Sequence, residues 1–108
     1  MRRGDNLQGA LELLVLKTLE KSPNHGFGIT LHVQEVSAGL LHLEEGSLYP
    51  ALHRLERESV IQGEWRNTEN GRRARFYKLT ASGKRRLAEA ESNWTTIALG
   101  VRRVLRSV

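Results

Sequence analysis

A mainly α-helical fold with one β-hairpin is what this sequence of 108 residues predicts. Three observations predict it. Apolar residues recur at three- and four-residue spacing through most of the chain, which is the helical period. Two short runs, Val60–Arg66 and Arg73–Leu79, are strand-like instead and flank a turn at Asn70-Gly71. From Leu87 onward the apolar residues settle into a seven-residue repeat, the mark of a helix that packs on another helix.

Asp5 or Asn6 is placed to cap a first helix running to about Lys21, with Gln8 completing a capping box behind Asp5. Its apolar residues fall on two sides: Leu7, Leu11, Leu14 and Val15 on one, Leu13 and Leu16 on the other. A short helix apolar on two sides is buried on two sides. In so small a chain the second side is expected to meet another subunit. Pro23 and the turn 22–25 end this helix, and His25 is expected to start the next with a structural hydrogen bond. That second helix covers Gly28–Ser37, with Ile29, Val33 and Val36 inward. Residues 39–45 are a loop, with a short extended piece expected at 40–43.

The third helix lies in GSLYPALHRLERE, residues 46–58, and ends near Ser59. Ser47 as its N-cap would put Pro50 third in the helix, where a missing backbone donor costs nothing. Leu48, Leu52 and Leu55 then form one stripe with Ala51 at its edge, while Pro50, His53, Arg54 and Arg57 collect opposite. A helix that buries leucines and presents arginines can lie in a major groove; the plainer alternative is a solvated surface helix. The hairpin follows, with Arg72, Arg73 and Arg75 at its tip. These could grip phosphates or the minor groove, or merely protect an exposed edge. Trp65, Phe76 and Tyr77 are expected in the hairpin core rather than as base-stacking platforms.

Thr80 is a good N-cap for a last helix reaching about Arg106. Leu87, Trp94, Val101 and Val108 recur every seven residues, with Ala90, Ile97 and Val104 three further on. This is a heptad seam. Trp94 is read as dimer core, the alternative being the wall of a flat apolar ligand site. Gly100 weakens the helix by roughly 1 kcal/mol and would permit a close crossing. Helices two and three with a basic hairpin after them make a winged helix-turn-helix. Residues 1–79 are thus expected to form a DNA-binding domain, and residues 80–108 a C-terminal dimerisation helix.

Composition narrows the partners. Net charge is +5 and the isoelectric point near 10.2, which suggests a polyanion. Residues 1–45 hold four Lys/Arg against six Asp/Glu, residues 46–86 ten against four, and residues 87–108 three against two. The positive charge is therefore concentrated where the third helix and hairpin lie. Without cysteine, disulfides and thiolate chemistry are excluded. There is no long apolar run or leader pattern, so a soluble cytoplasmic protein without membrane contact is expected.

With these pieces in place, the chain resembles the PadR-like transcriptional regulators from about residue 8 to about residue 106. The motifs that carry the resemblance are HGFGI at 25–29, EEGSLYPALHRLE at 44–56, NGRRARFYKLT at 70–80 and SGKRRL at 82–87. The central block is the specific one. The single last helix is similar to that of the short subgroup, acidobacterial members in particular. The resemblance implies a homodimer in which first and last helices interlock, and repression from an inverted repeat in double-stranded DNA. Family members respond to phenolic acids or planar drugs, which would make Trp94, in SNWTTI, part of a site for a small aromatic effector. One departure is Ser59, where the family usually has a glycine that takes a left-handed conformation cheaply.

Residues and resemblance then agree on roles. Ser47, Tyr49, Pro50, His53, Arg54 and Arg57 are the expected DNA face of the helix, with Tyr49 at its flank either touching phosphate or packing inward. Gly71 lets the wing turn, and Arg72, Arg73 and Arg75 are its expected contacts. Arg2 and Arg3 would add a loose contact from the tail. Leu13, Leu16, Leu87, Trp94, Ile97, Val101 and Val104 are the expected dimer contacts. An RNA-binding or general basic module is the rival, though a two-stranded hairpin offers a poor stacking sheet. Catalysis, metal and cofactors are not expected: Asp5 is the sole aspartate, and His25, His32, His42 and His53 lack metal-ligand spacing.

Overall fold

The structure, a computed structural model, describes the backbone of residues 3–107 and the side chains of residues 10–107. The chain runs α1 (Arg3–Lys21), α2 (Gly26–Val36), α3 (Glu45–Arg57), β1 (Ile61–Asn67), β2 (Arg73–Leu79) and α4 (Ala81–Arg106). This is a winged helix-turn-helix with a long final helix. The expected capping box at Asp5 and Gln8, the Leu7 face, the tail arginines and Val108 involve side chains outside the described residues. The backbone is already helical at Arg3, so α1 starts before the expected cap.

One core joins every element. Leu11, Val15, Leu16 and Leu19 of α1 meet Ile29 and Val33 of α2, Leu48, Ala51, Leu52 and Leu55 of α3, Ile61 and Tyr77 of the hairpin, and Leu87 of α4. Each buried leucine contributes roughly 1.5–3 kcal/mol, so this cluster holds the fold. It also corrects the expected dimer contacts. Leu16 is 0% and Leu87 2% exposed within one chain, so neither has surface left for a partner. The physical reason is that α4 packs along α1 and itself covers part of the second side of that helix. Leu13 and Leu14 are half-buried against the same core.

Local signals set the joints. His25 caps α2 by accepting the Gly28 N–H at its Nδ1, 3.1 Å away. Helix α2 therefore begins two residues earlier than expected. Ile29 and Val33 are buried, but Val36 is 72% exposed, because the helix ends at that residue and turns away from the core. The extended piece expected at 40–43 is not a strand; Leu43 is buried in the core and Leu41 packs against it. Helix α3 begins at Glu45, with Glu44 as N-cap and no side-chain cap bond. Ser47 is thus not the cap, and Pro50 stands sixth in the helix rather than third. The Gly46 carbonyl it leaves without a donor sits at an exposed position, where water can satisfy it.

The joint between α3 and α4 is built from hydroxyls. Ser59 takes φ 59°, and the Val60 N–H returns to the Leu55 carbonyl at 3.0 Å, closing the helix. The Ser59 carbonyl accepts from the Thr80 hydroxyl at 2.6 Å and the Ser82 hydroxyl at 3.0 Å. Thr80 also caps α4, accepting the Gly83 N–H at 3.1 Å. A Cβ on Gly83 would stand 2.1 Å from the Val60 carbonyl oxygen. The SGKRRL motif is therefore a close backbone crossing as well as a helix start.

Strands β1 and β2 pair antiparallel, from Ile61 opposite Leu79 out to Asn67 opposite Arg73. Asn24 adds a single bridge on the far edge of β2, exchanging backbone bonds with Tyr77 at 2.9 and 3.1 Å. Beyond that bridge the hairpin projects, and its tip turns at Gly71, φ 79°. At the other end α4, about 39 Å long, leaves the body after its first turns, and the molecule measures 56 Å along its long axis. Among the described residues no helix is long and apolar enough to cross a membrane.

Candidate nucleic-acid interface

The outer face of α3 is set by its leucines. With Leu48, Ala51, Leu52 and Leu55 buried, a rotation of about 100° per residue puts Pro50, His53 and Arg57 furthest from the core. All three are exposed. Tyr49 and Glu56 lie on the flank towards the hairpin; Ser47, Arg54 and Glu58 lie on the other. The six expected contact residues of α3 are thus divided, and only the middle row faces straight out.

Tyr49 packs inward by one edge. Its ring lies against Gly26, where an added Cβ would approach it to 2.8 Å, and it remains 39% exposed. The HGFGI and GSLYP motifs are two halves of that contact. Arg54 turns away from the outer row. Its Nη2 lies 3.4 Å from a Glu12 oxygen and its Nε 4.0 Å from Glu58. Arg86 of α4 completes the cluster, with two bonds to Glu12 at 2.8 and 2.9 Å and one to Glu58 at 2.7 Å. The Arg86 hydrogen bond holds the Glu12 carboxyl below its ordinary 4.5, and Glu12 in return raises the Arg86 guanidinium. Arg54 thus stands on the flank of the outer row, its side chain 46% exposed and leaning towards α1 and the end of its own helix. Among the described residues Arg57 has no carboxylate partner.

The hairpin arginines differ from one another. Arg72 is exposed at the tip beside Gly71, its backbone N–H bonded to the Thr68 hydroxyl at 3.2 Å. Arg73 lies over the Trp65 ring, 5.8 Å from its centre. Arg75 lies 5.6 Å from the same ring and reaches across to α3, where both Glu56 oxygens accept from it, the Nε bond at 3.3 Å. That hydrogen bond holds the Glu56 carboxyl below its ordinary 4.5. Arg75 is engaged within the protein, a correction to its expected role as a free contact. Trp65 is the second correction here. It is 55% exposed, because its place in the register lies beyond the last hairpin residues that touch the core. Tyr77 is buried, and Phe76 is half-buried edge-on to His25, ring centres 5.0 Å apart.

Between the start of α2, the flank of α3 and the hairpin lies an open groove of about 980 Å³, lined in part by Phe27, Tyr49, His53, Trp65 and Arg73. Trp65 and the exposed Phe27 line the groove, and sequence reasoning placed neither there; it also missed Glu56, the partner of Arg75. Glu56 sits on the same flank of α3 as Tyr49, but only the packing of the hairpin shows that this flank meets Arg75. Further along, Trp94, Ile97, Val101 and Val104 are exposed on α4, as are Leu99 and Leu105. Trp94, Ile97, Val101 and Val104, four of the seven residues read as a heptad seam, lie outside the core of the single chain. Among the described residues no group of His, Asp and Glu could hold a metal ion.

A helix-turn-helix with a basic wing, and a long helix leaving it, define a winged-helix transcriptional regulator. The chain belongs to the PadR-like family of transcriptional regulators, whose family model matches residues 15–89. It is 34% identical over 82 residues to the transcriptional regulator Rv3488 of Mycobacterium tuberculosis, covering 76% of this chain and 73% of that one. A PadR family regulator from Eggerthella lenta superimposes with a TM-score of 0.79 at 28% identity, over 96% of this chain and 88% of that one. A transcriptional regulator from Clostridium thermocellum shares the fold with a TM-score of 0.82 at 20% identity, over 92% and 96%.

Proposed function

We propose that this chain is a homodimeric, sequence-specific regulator that represses transcription from an inverted repeat in double-stranded DNA. The observation that carries this is the outward row Pro50, His53 and Arg57 of α3 beside a wing whose Arg72 and Arg73 pair with no carboxylate among the described residues. His53 and Arg57 enter the major groove, where Arg57 reaches a guanine edge. Arg72 and Arg73 hold backbone or minor groove, while Ser47 and Tyr49 stand at the margins of the contact. Residues 1–79 bind DNA. The part of α4 beyond Leu87, within the 80–108 segment, joins a second copy through Trp94, Ile97, Val101 and Val104, with Leu13 of α1 at the edge. A two-fold dimer sets its recognition helices about 34 Å apart, one turn of duplex. The site for a small aromatic effector lies at Trp94 between the two α4 helices. The setting is cytoplasmic, with no catalytic step.

The test is selection from random duplex DNA at about 0.15 M salt, where non-specific attraction is already weakened. One inverted repeat with half-sites about a turn apart is the expected result. Sequence-blind recovery would overturn the proposal in favour of a general basic or RNA-binding module.

A further inference from the structure

The hairpin is a two-stranded ribbon beyond its Asn24 bridge, and such a ribbon has little stiffness of its own. What holds its outer half is a chain of four side chains. Glu56, one residue before Arg57 on α3, takes both bonds from Arg75 of β2. Arg75 lies flat across Gly63, where an added Cβ would meet its Nε at 2.6 Å, and beside the Trp65 ring. Arg73 rests on the same ring two register positions nearer the tip. A tryptophan 55% exposed next to two guanidiniums is an arrangement that core packing does not require.

We propose that Glu56, Arg75 and Trp65 are positioning residues that fix the wing against the recognition helix and aim Arg73, and that Arg75 is not itself a phosphate ligand. This rests on the DNA-binding proposal and deepens it. The bidentate pair ties the wing to the residue next to Arg57, so helix and wing keep one relative geometry. The ring gives Arg73 a resting place by cation–π attraction, which restricts its side chain before contact. Gly63 belongs to the device because any side chain there would displace Arg75.

The sign of one substitution tests it. Glu56→Gln removes a negative charge beside a polyanion's site, so bulk electrostatics alone would tighten binding. Positioning demands the opposite. Affinity for the duplex recovered by selection is expected to fall roughly three- to tenfold in Glu56→Gln and similarly in Arg75→Gln, with the double variant no worse than either. Their salt slopes should match the parent, whereas Arg73→Ala should lose about 0.9 from the log–log slope. Trp65→Phe should keep most affinity and Trp65→Ala should lose it. Tighter or unchanged binding by Glu56→Gln overturns the proposal, as does a slope lowered by about 0.9 in Arg75→Gln, which would make Arg75 a phosphate ligand. Glu56→Gln leaves the core untouched, so its result stands even where Arg75→Gln folds poorly. If the parent protein binds no duplex, the DNA-binding proposal itself falls, an outcome separate from either of these.

Discussion

Two backbone positions show how residue identity is coupled to geometry. Ser59 holds φ 59°, a conformation that disfavours side chains with a Cβ, yet its carbonyl is anchored by two hydroxyls. Ser59→Gly should therefore stabilise the chain by about 0.5–1 kcal/mol, since the cap geometry stays and the strain goes. A higher urea midpoint at unchanged slope would bear this out, and a lower midpoint would show that the serine side chain contributes something glycine cannot. Gly83 is the converse. Its missing Cβ lets α4 cross the Val60 carbonyl, so Gly83→Ala should cost at least about 1–3 kcal/mol. A neutral result in the same urea titration would mean that α4 and the segment at Val60 separate easily. Glycine in SGKRRL was visible in the sequence; the carbonyl it makes room for was not, because that atom comes from a residue 23 positions away in the chain.

At the scale of elements, α3 was legible as a helix and only partly legible as a site. Its leucine stripe follows from spacing, and the structure buries those four residues. Its start does not follow, because Ser47 is a strong cap by type but Leu43, buried in the core, fixes where the chain enters the helix. Helical position separates the inner face from the outer one. It cannot say which flank faces another element, and that flank decides what Arg54 does. Held by Glu12 and Glu58, Arg54 is expected to contribute to the joint of α1, α3 and α4 rather than to base recognition. Arg54→Ala should leave sequence preference unchanged. Arg57→Ala should cost about 1–3 kcal/mol of binding and relax preference at one position of each half-site. Binding titrations against a panel of single-base variants separate the two, and relaxed preference in Arg54→Ala would return that residue to the groove. The exposed Trp65 was unreadable for a related reason: a tryptophan in a strand looks like core until the register shows how far the strand projects.

Across the whole molecule, carboxylates join the elements, and a helix with exposed apolar residues leaves them. Glu12 joins α1 to α4, and Glu56 joins α3 to the wing. Both are held below their ordinary 4.5 by an arginine hydrogen bond. A depressed carboxylate binds its proton more readily in the unfolded chain, so this stabilisation is fully present above about pH 4.5 and is lost as pH falls through the lower folded values. The thermal midpoint should hold down to that pH and decline below it, less steeply in Glu12→Gln; an equally steep decline would remove Glu12 from the account. The heptad spacing already pointed to the exposed part of α4, though not to where it begins, since Leu87 belongs to the core and Trp94 does not. Val101 lies in the exposed stretch, two turns beyond Trp94 and far from any buried contact of the single chain. Val101→Asp thus places a charge where the proposed dimer is apolar, at no cost to the fold of one subunit. Sedimentation should show a monomer whose melting no longer depends on concentration, because no partner binds the native state. Affinity for an inverted repeat should then fall to that of one half-site, while contacts within each half-site persist. A Val101→Asp protein that stays dimeric would place the subunit contact elsewhere, and would detach Trp94 from any effector site formed between two copies of α4.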